Sequence, residues 1–171
     1  DLYVCQEQGL PNRLFLQQTD GTALEVSGQW GCDWLQATRS VLFVDFDNDG
    51  DQDLVASVLG GVVIASNEGH RFQVRSMIPT GDDMVALAAA DFDNDGDVDI
   101  YATAYYTNKV LSDRQSAGLP ASDSAFVYHD ANVGGSNHLL RNDISAKDWT
   151  FIDVTESCGL QENNTRFSFA A

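Results

Sequence analysis

The ten residues "DFDNDGDQDL" from Asp45 to Leu54 return as "DFDNDGDVDI" from Asp91 to Ile100, and each copy sets five aspartates into nine positions. A folding chain does not crowd like charges this closely without something to neutralise them, because converging carboxylates repel one another. In the first copy, positions 1, 3, 5 and 9 are Asp45, Asp47, Asp49 and Asp53, with Gly50 at position 6. The second supplies Asp91, Asp93, Asp95 and Asp99, with Gly96 at the turn. Oxygen donors at alternate positions around a sharp glycine turn suit a hard cation. Position 7, Asp51 or Asp97, would add its backbone carbonyl. Ca²⁺ is the expected ion, at two sites, since Mg²⁺ demands a tighter octahedron and keeps several waters. A solvated acidic turn is the plainer alternative, as Asp, Asn and Gly favour turns. Two nearly identical copies in the same setting argue against it.

An EF-hand loop starts in a similar way but needs a bidentate Glu at position 12 and a helix on each side. Position 12 is Ala56 in one copy and Ala102 in the other. The flanks, Val41 to Val44 before the first loop and Leu54 to Val58 after it, are short apolar runs with β-branched residues, and these read as strands. Each loop therefore joins two strands.

The two loops stand 46 residues apart, Asp45 to Asp91, a spacing typical of propellers and arrays. One complete unit lies between them: a strand near 41–45, a second at 53–59, then "GGVVIASNEG" and "HRFQVRSMIP" as third and fourth, turning at Asn67 to Gly69. A further copy has "DIYATAYY", "NHLLRND" from Asn137 and "TFIDVT" from Thr150. An incomplete copy comes first, with "NRLFLQQ" from Asn12 and "ALEVSG" from Ala23. Four antiparallel strands per unit make a propeller blade. The expected class is all-β: a single β-propeller segment over 1–171, with the aspartate loops between first and second strands. It divides into a partial blade at 1–40, a full blade at 41–80, a full blade at 84–158 with an insertion at 108–136, and the first strand of another at 166–171. Asp1-Leu2-Tyr3-Val4 matches Asp53 to Ala56 and Asp99 to Ala102, so a partial third cation site is expected at a terminus. Propellers close with about four to eight blades, so open edges are expected to pair with another chain.

Charge narrows the partner classes. The formal net charge is −17, and removing the ten loop carboxylates leaves about −7. That balance argues against nucleic acid, which is held by Lys and Arg. No apolar run approaches the length that spans a bilayer, and the first residues lack a signal pattern. Three cysteines, Cys5, Cys32 and Cys158, show no metal spacing; either a Cys5–Cys32 bridge or three small buried hydrophobes fits them.

At this level the loops resemble the FG-GAP and VCBS repeat family, whose D-x-D-x-D-G-x-x-D loops bind calcium in propeller blades, as in integrin alpha subunits. Asn137 to Asn142 followed by Phe151 to Thr155 and Gly159-Leu160 is similar to bacterial repeat proteins of the ASPIC/UnbV-associated type. The resemblance implies that the position-matched aspartates of both loops ligate calcium. It also implies a non-enzymatic binding or adhesion-type module for a protein or carbohydrate, with structural calcium. Loops open to solvent are expected to bind calcium near 10⁻⁴ to 10⁻³ M, which places the chain in a secreted, periplasmic or cell-surface setting.

Two other readings stay open. The chain can be the scaffold of a carbohydrate-active or other enzyme, with Tyr128, His129, Asp130 and His138 near the chemistry, although an ordinary loop containing histidine explains that cluster too. It can also be a structural repeat that self-associates. Trp30, Trp34, Trp149, Tyr105 and Tyr106 are candidates for a stacking surface, or for packing between blades. Asn163-Asn164-Thr165 is a glycosylation sequon of low specificity.

Overall fold

The computed structural model describes residues 1–107, 134–145, 148–166 and 168. The described residues are all-β, in two antiparallel sheets. The first holds β1 (Leu2–Val4), β2 (Arg13–Gln17) and β3 (Ala23–Glu25), in that order. The second runs β4 (Thr38–Val44), β5 (Asp53–Asn67), β6 (Phe72–Ala90), β7 (Asp99–Thr107), β8 (His138–Asn142) and β9 (Phe151–Asp153), also in sequence order. Among the described residues no helix is long and apolar enough to cross a membrane.

β5 is not one straight strand. Fourteen residues of straight strand would span about 46 Å at ~3.3 Å per residue, yet Asn67 N donates to Asp53 Oδ1 at 2.9 Å. The chain turns back at Gly60, whose φ of 86° suits glycine. The first half pairs with β4 (Val41↔Ala56, Val44↔Asp53), and the second half with β6 (Val62↔Ile78, Asn67↔Phe72). β6 changes partner in the same manner, around Gly81 at φ 76°. Beyond that point Ala86 to Ala90 pair with Thr103 to Asp99 of β7. The result is two successive four-strand meanders: 38–44, 53–58, 61–67 and 72–79, then 84–90, 99–107, 138–142 and 151–153.

The expected strand from Ala23 stops at Glu25, and Ser27–Trp30 form one helical turn, α1, closed by Gly31 at φ 69°. The same turn follows β9. Trp30 N donates to Val26 O and Cys32 N to Ser27 O, just as Cys158 N donates to Val154 O and Leu160 N to Thr155 O. Gly159 occupies the place of Gly31 with φ 74°.

Leu54 to Val58 are all buried. Leu54 packs with Leu14, Val26, Cys32 and Phe72, while Val55 packs with Phe46, Met84, Leu87, Ile100 and Leu140. Successive side chains point to opposite faces of a strand, and both faces are covered, so this strand reads as a continuous apolar run rather than an alternation. The cysteines are free: Cys32 is buried, Cys5 half-buried and Cys158 exposed. No Cys5–Cys32 bridge forms.

Candidate metal centres

Each aspartate loop is shaped by its own side chains. Asp45 accepts from Asp49 N at 3.1 Å and from Gly50 N at 3.0 Å, and Asp49 accepts from Asp51 N at 3.0 Å. In the second loop Asp91 accepts from Asp95 N and Gly96 N, and Asp95 from Asp97 N. Asn48 and Asn94 adopt φ near 60°, and Gly50 and Gly96 have φ of 95° and 99°. Asparagine and glycine are the residues that enter this region at low cost. The two loops thus share one backbone path.

That path gathers carboxylates. One ligand atom from each of Asp45, Asp47 and Asp49 lies within 4.8 Å of the others, and so does one from each of Asp91, Asp93 and Asp99. Asp51, Asp53, Asp95 and Asp97 are not in these groups. The gathering is costly: burial, then the charge of Asp49, pushes the Asp47 carboxyl above its ordinary range, and Asp51 is pushed the same way. Burial raises Asp99 as well. Asp51 Oδ1 is sealed from solvent and accepts no hydrogen bond. Converging oxygens and raised carboxyls are the chemistry that a hard dication complements.

The position 9 aspartates do a second job. Asp53 is 1% exposed, and its Oδ2 accepts from Phe46 N at 2.9 Å while Oδ1 accepts from Asn67 N at 2.9 Å. Asp99 repeats both bonds, with Phe92 N at 3.0 Å and Asn142 N at 2.8 Å. Asp1 makes the second one, accepting from Gln17 N at 2.9 Å. Asp53 and Asp99 each staple the loop entry to the end of the third strand. Burial pushes Asp53 up to about 6 against the pull of its two N–H donors.

Sequence reasoning missed the asparagines that hold these loops. Asn67 Nδ2 donates to Gln52 O, and Asn142 Nδ2 to Val98 O and Phe46 O. The available signal was an Asn closing the third strand of both complete units. The loops also meet directly, through Asn48 Nδ2 to Asp97 Oδ1 at 2.8 Å. Beside this contact lies a cleft of about 280 Å³ lined by Phe46, Asp47, Asn48, Asp97, Ile144, Ser145 and Trp149.

Other sequence candidates separate. Tyr128, His129 and Asp130 lie outside the described residues. His138 Nδ1 pairs with Asp153 Oδ2 at 2.7 Å, the place taken by Arg13 and Glu25 in the first sheet. A cross-strand hydrogen bond thus holds one ring nitrogen, while Nε2 is buried without a hydrogen-bond partner. Trp34 is half-buried against core residues, with its Nε1 donating to Gly31 O. Trp30 packs in tilted contacts against His70 and Phe72 at centroid distances of 4.9 and 5.9 Å, beside a groove that includes Phe43. Trp149 reaches the cleft between the loops. Asn163 is exposed at φ 59°.

Comparison of the chain with protein-family models and with curated proteins returns no match.

Proposed function

We propose that the two loops bind Ca²⁺ and that the chain is a calcium-stabilised β-propeller segment of the FG-GAP and VCBS type, serving as a non-enzymatic binding module for a protein or carbohydrate partner. The observation that carries this reading is the recurrence of one loop, with the same backbone bonds, the same left-handed residues and a gathered set of three carboxylates, at two places 46 residues apart. Asp45, Asp47, Asp49 and Asp53 would hold one ion with the Asp51 carbonyl; Asp91, Asp93, Asp95 and Asp99 would hold the other with that of Asp97. The ion supplies positive charge that lets the carboxylates converge, and its binding energy becomes folding energy.

The successive antiparallel meanders support the propeller reading, with each meander as a blade. The aromatic groove at Trp30, Phe43 and Phe72, an apolar wall with polar groups at the rim, and the mostly polar cleft that sets Trp149 among loop side chains support a partner held at the loops. Loop affinities near 10⁻⁴ to 10⁻³ M favour a calcium-rich compartment outside the cytosol.

Elemental analysis after dialysis against millimolar calcium tests the metal reading. Two calcium ions per chain are expected, falling to one in Asp47→Ala; a metal content near zero overturns it. A glycan and protein-array screen in calcium and in chelator then tests the partner, with calcium-dependent capture lost in Trp149→Ala or Trp30→Ala as the supporting result.

A further inference from the structure

Asn142 lies between the two loops, and it is 1% exposed. All of its polar groups that can bridge are committed. Its N donates to Asp99 Oδ1 at 2.8 Å and its Oδ1 accepts from Ile144 N at 2.9 Å. Its side-chain amide has only two N–H donors: one goes to Phe46 O in the first loop at 2.9 Å, the other to Val98 O in the second at 3.2 Å. Phe46 is in turn held by Asp53 Oδ2. A continuous path thus joins the position 9 carboxylate of one loop to that of the other: Asp53, Phe46, Asn142, Asp99. A second link, Asn48 to Asp97, joins the loops at the surface.

We propose that the two loops bind their cations cooperatively, with Asn142 as the positioning residue that couples them; this rests on the calcium reading above. A buried amide with both donors engaged cannot follow one loop alone without breaking a buried hydrogen bond to the other. The loop that closes first around its ion therefore holds its neighbour in the closed form. The second ion binds a loop whose ordering cost has already been met, which is positive coupling. Repulsion between the ions opposes this, but each loop carries five carboxylates and stays net negative after taking up one dication.

The test is calcium titration by calorimetry on the 171-residue chain. The wild type is expected to take up two ions with a Hill coefficient above 1. Asp93→Asn, which disables the second loop, is expected to weaken the first by at least about fivefold, and Asp47→Asn to weaken the second by the same factor, because coupling is reciprocal. In the background Asn48→Ala with Asn142→Ala, two ions still bind, the Hill coefficient falls to 1, and Asp93→Asn no longer affects the first loop. A purely through-space charge effect would persist in that background, and its persistence would overturn the role of Asn142. Should that background fail to fold by circular dichroism, the near-isosteric Asn142→Leu with Asn48 retained takes its place: it removes the two amide donors to Phe46 O and Val98 O, so a reduced reciprocal effect supports the coupling path and an unchanged one contradicts it. Two ions bound with a Hill coefficient of 1, and a first loop indifferent to Asp93→Asn, overturn the coupling while leaving the calcium reading intact. A wild type that takes up no calcium overturns the calcium reading itself.

Discussion

Asp53 and Asn67 belong to the same strand element, fourteen residues apart, and are joined by a 2.9 Å hydrogen bond from the Asn67 backbone to the Asp53 carboxylate. This one bond shows that β5 doubles back, and it ties an aspartate of the first acidic loop to the frame that carries the loop.

Because Asp53 accepts two backbone N–H groups from a buried position, its loss is expected to differ in kind from that of Asp49, an exposed residue in the gathered set. Asp53→Ala leaves two donors unpaired, at about 1–3 kcal/mol each, and should destabilise the chain by about 2–5 kcal/mol in chelator as well as in calcium. Asp49→Ala should cost little in chelator and remove most of the stabilisation by calcium. Urea unfolding of both variants in both conditions measures this, and equal behaviour of the two would contradict a stapling role for Asp53.

The raised carboxyls give a pH signature. Asp53 titrates at about 6 in the fold and near 3.9 when unfolded, and Asp47, Asp51 and Asp99 shift the same way. Between about pH 4 and 6 the calcium-free fold binds more protons than the unfolded chain, so its stability falls as pH rises through that window. Calcium needs the ionised forms and should restore what is lost. The difference in Tm between calcium and chelator is therefore expected to grow from pH 4.5 to pH 7, and a flat difference would contradict the assigned protonation.

Gly61 tests the fold itself. A Cβ there would stand 2.4 Å from the Ile78 carbonyl oxygen, in backbone, whereas one at Gly60 would meet nothing within 4 Å but sits at φ 86°. Gly60→Ala is expected to cost about 1–2 kcal/mol for the left-handed backbone. Gly61→Ala should cost more, about 2–3 kcal/mol, because the β5–β6 ladder must part. Denaturant midpoints with unchanged slope would report both, and a neutral Gly61→Ala would mean that the ladder lies elsewhere.

Much of this arrangement was legible because the loops repeat. Aspartate density, Gly50 and Gly96 marked the turns, and the apolar flanks marked the strands that meet them. What escaped was non-local. Asn12 is fully buried, accepting from Gln6 N and donating to Thr38 Oγ1. Asn137 likewise accepts from Ala104 N and donates to Ser168 Oγ. At the corresponding step of the middle unit stands Val62, where the chain turns back within a few residues at Gly60 and no amide is needed to span the connection. Such a polar latch depends on loop length and leaves no periodic trace. The helical turn Ser27–Trp30 escaped because four residues carry no helical period, although Val26-Ser27 with Gly31 and Val154-Thr155 with Gly159 repeat across the two units.

The decisive measurement is a thermal melt in excess calcium and in chelator, on the wild type and on Asp47→Ala combined with Asp93→Ala. Structural calcium at both loops predicts a rise in Tm of about 10 °C or more for the wild type, the order expected when a few kcal/mol of binding energy stabilises a domain of this size, and no rise for the double variant. A wild type that melts at the same temperature in both conditions would contradict calcium binding at these loops.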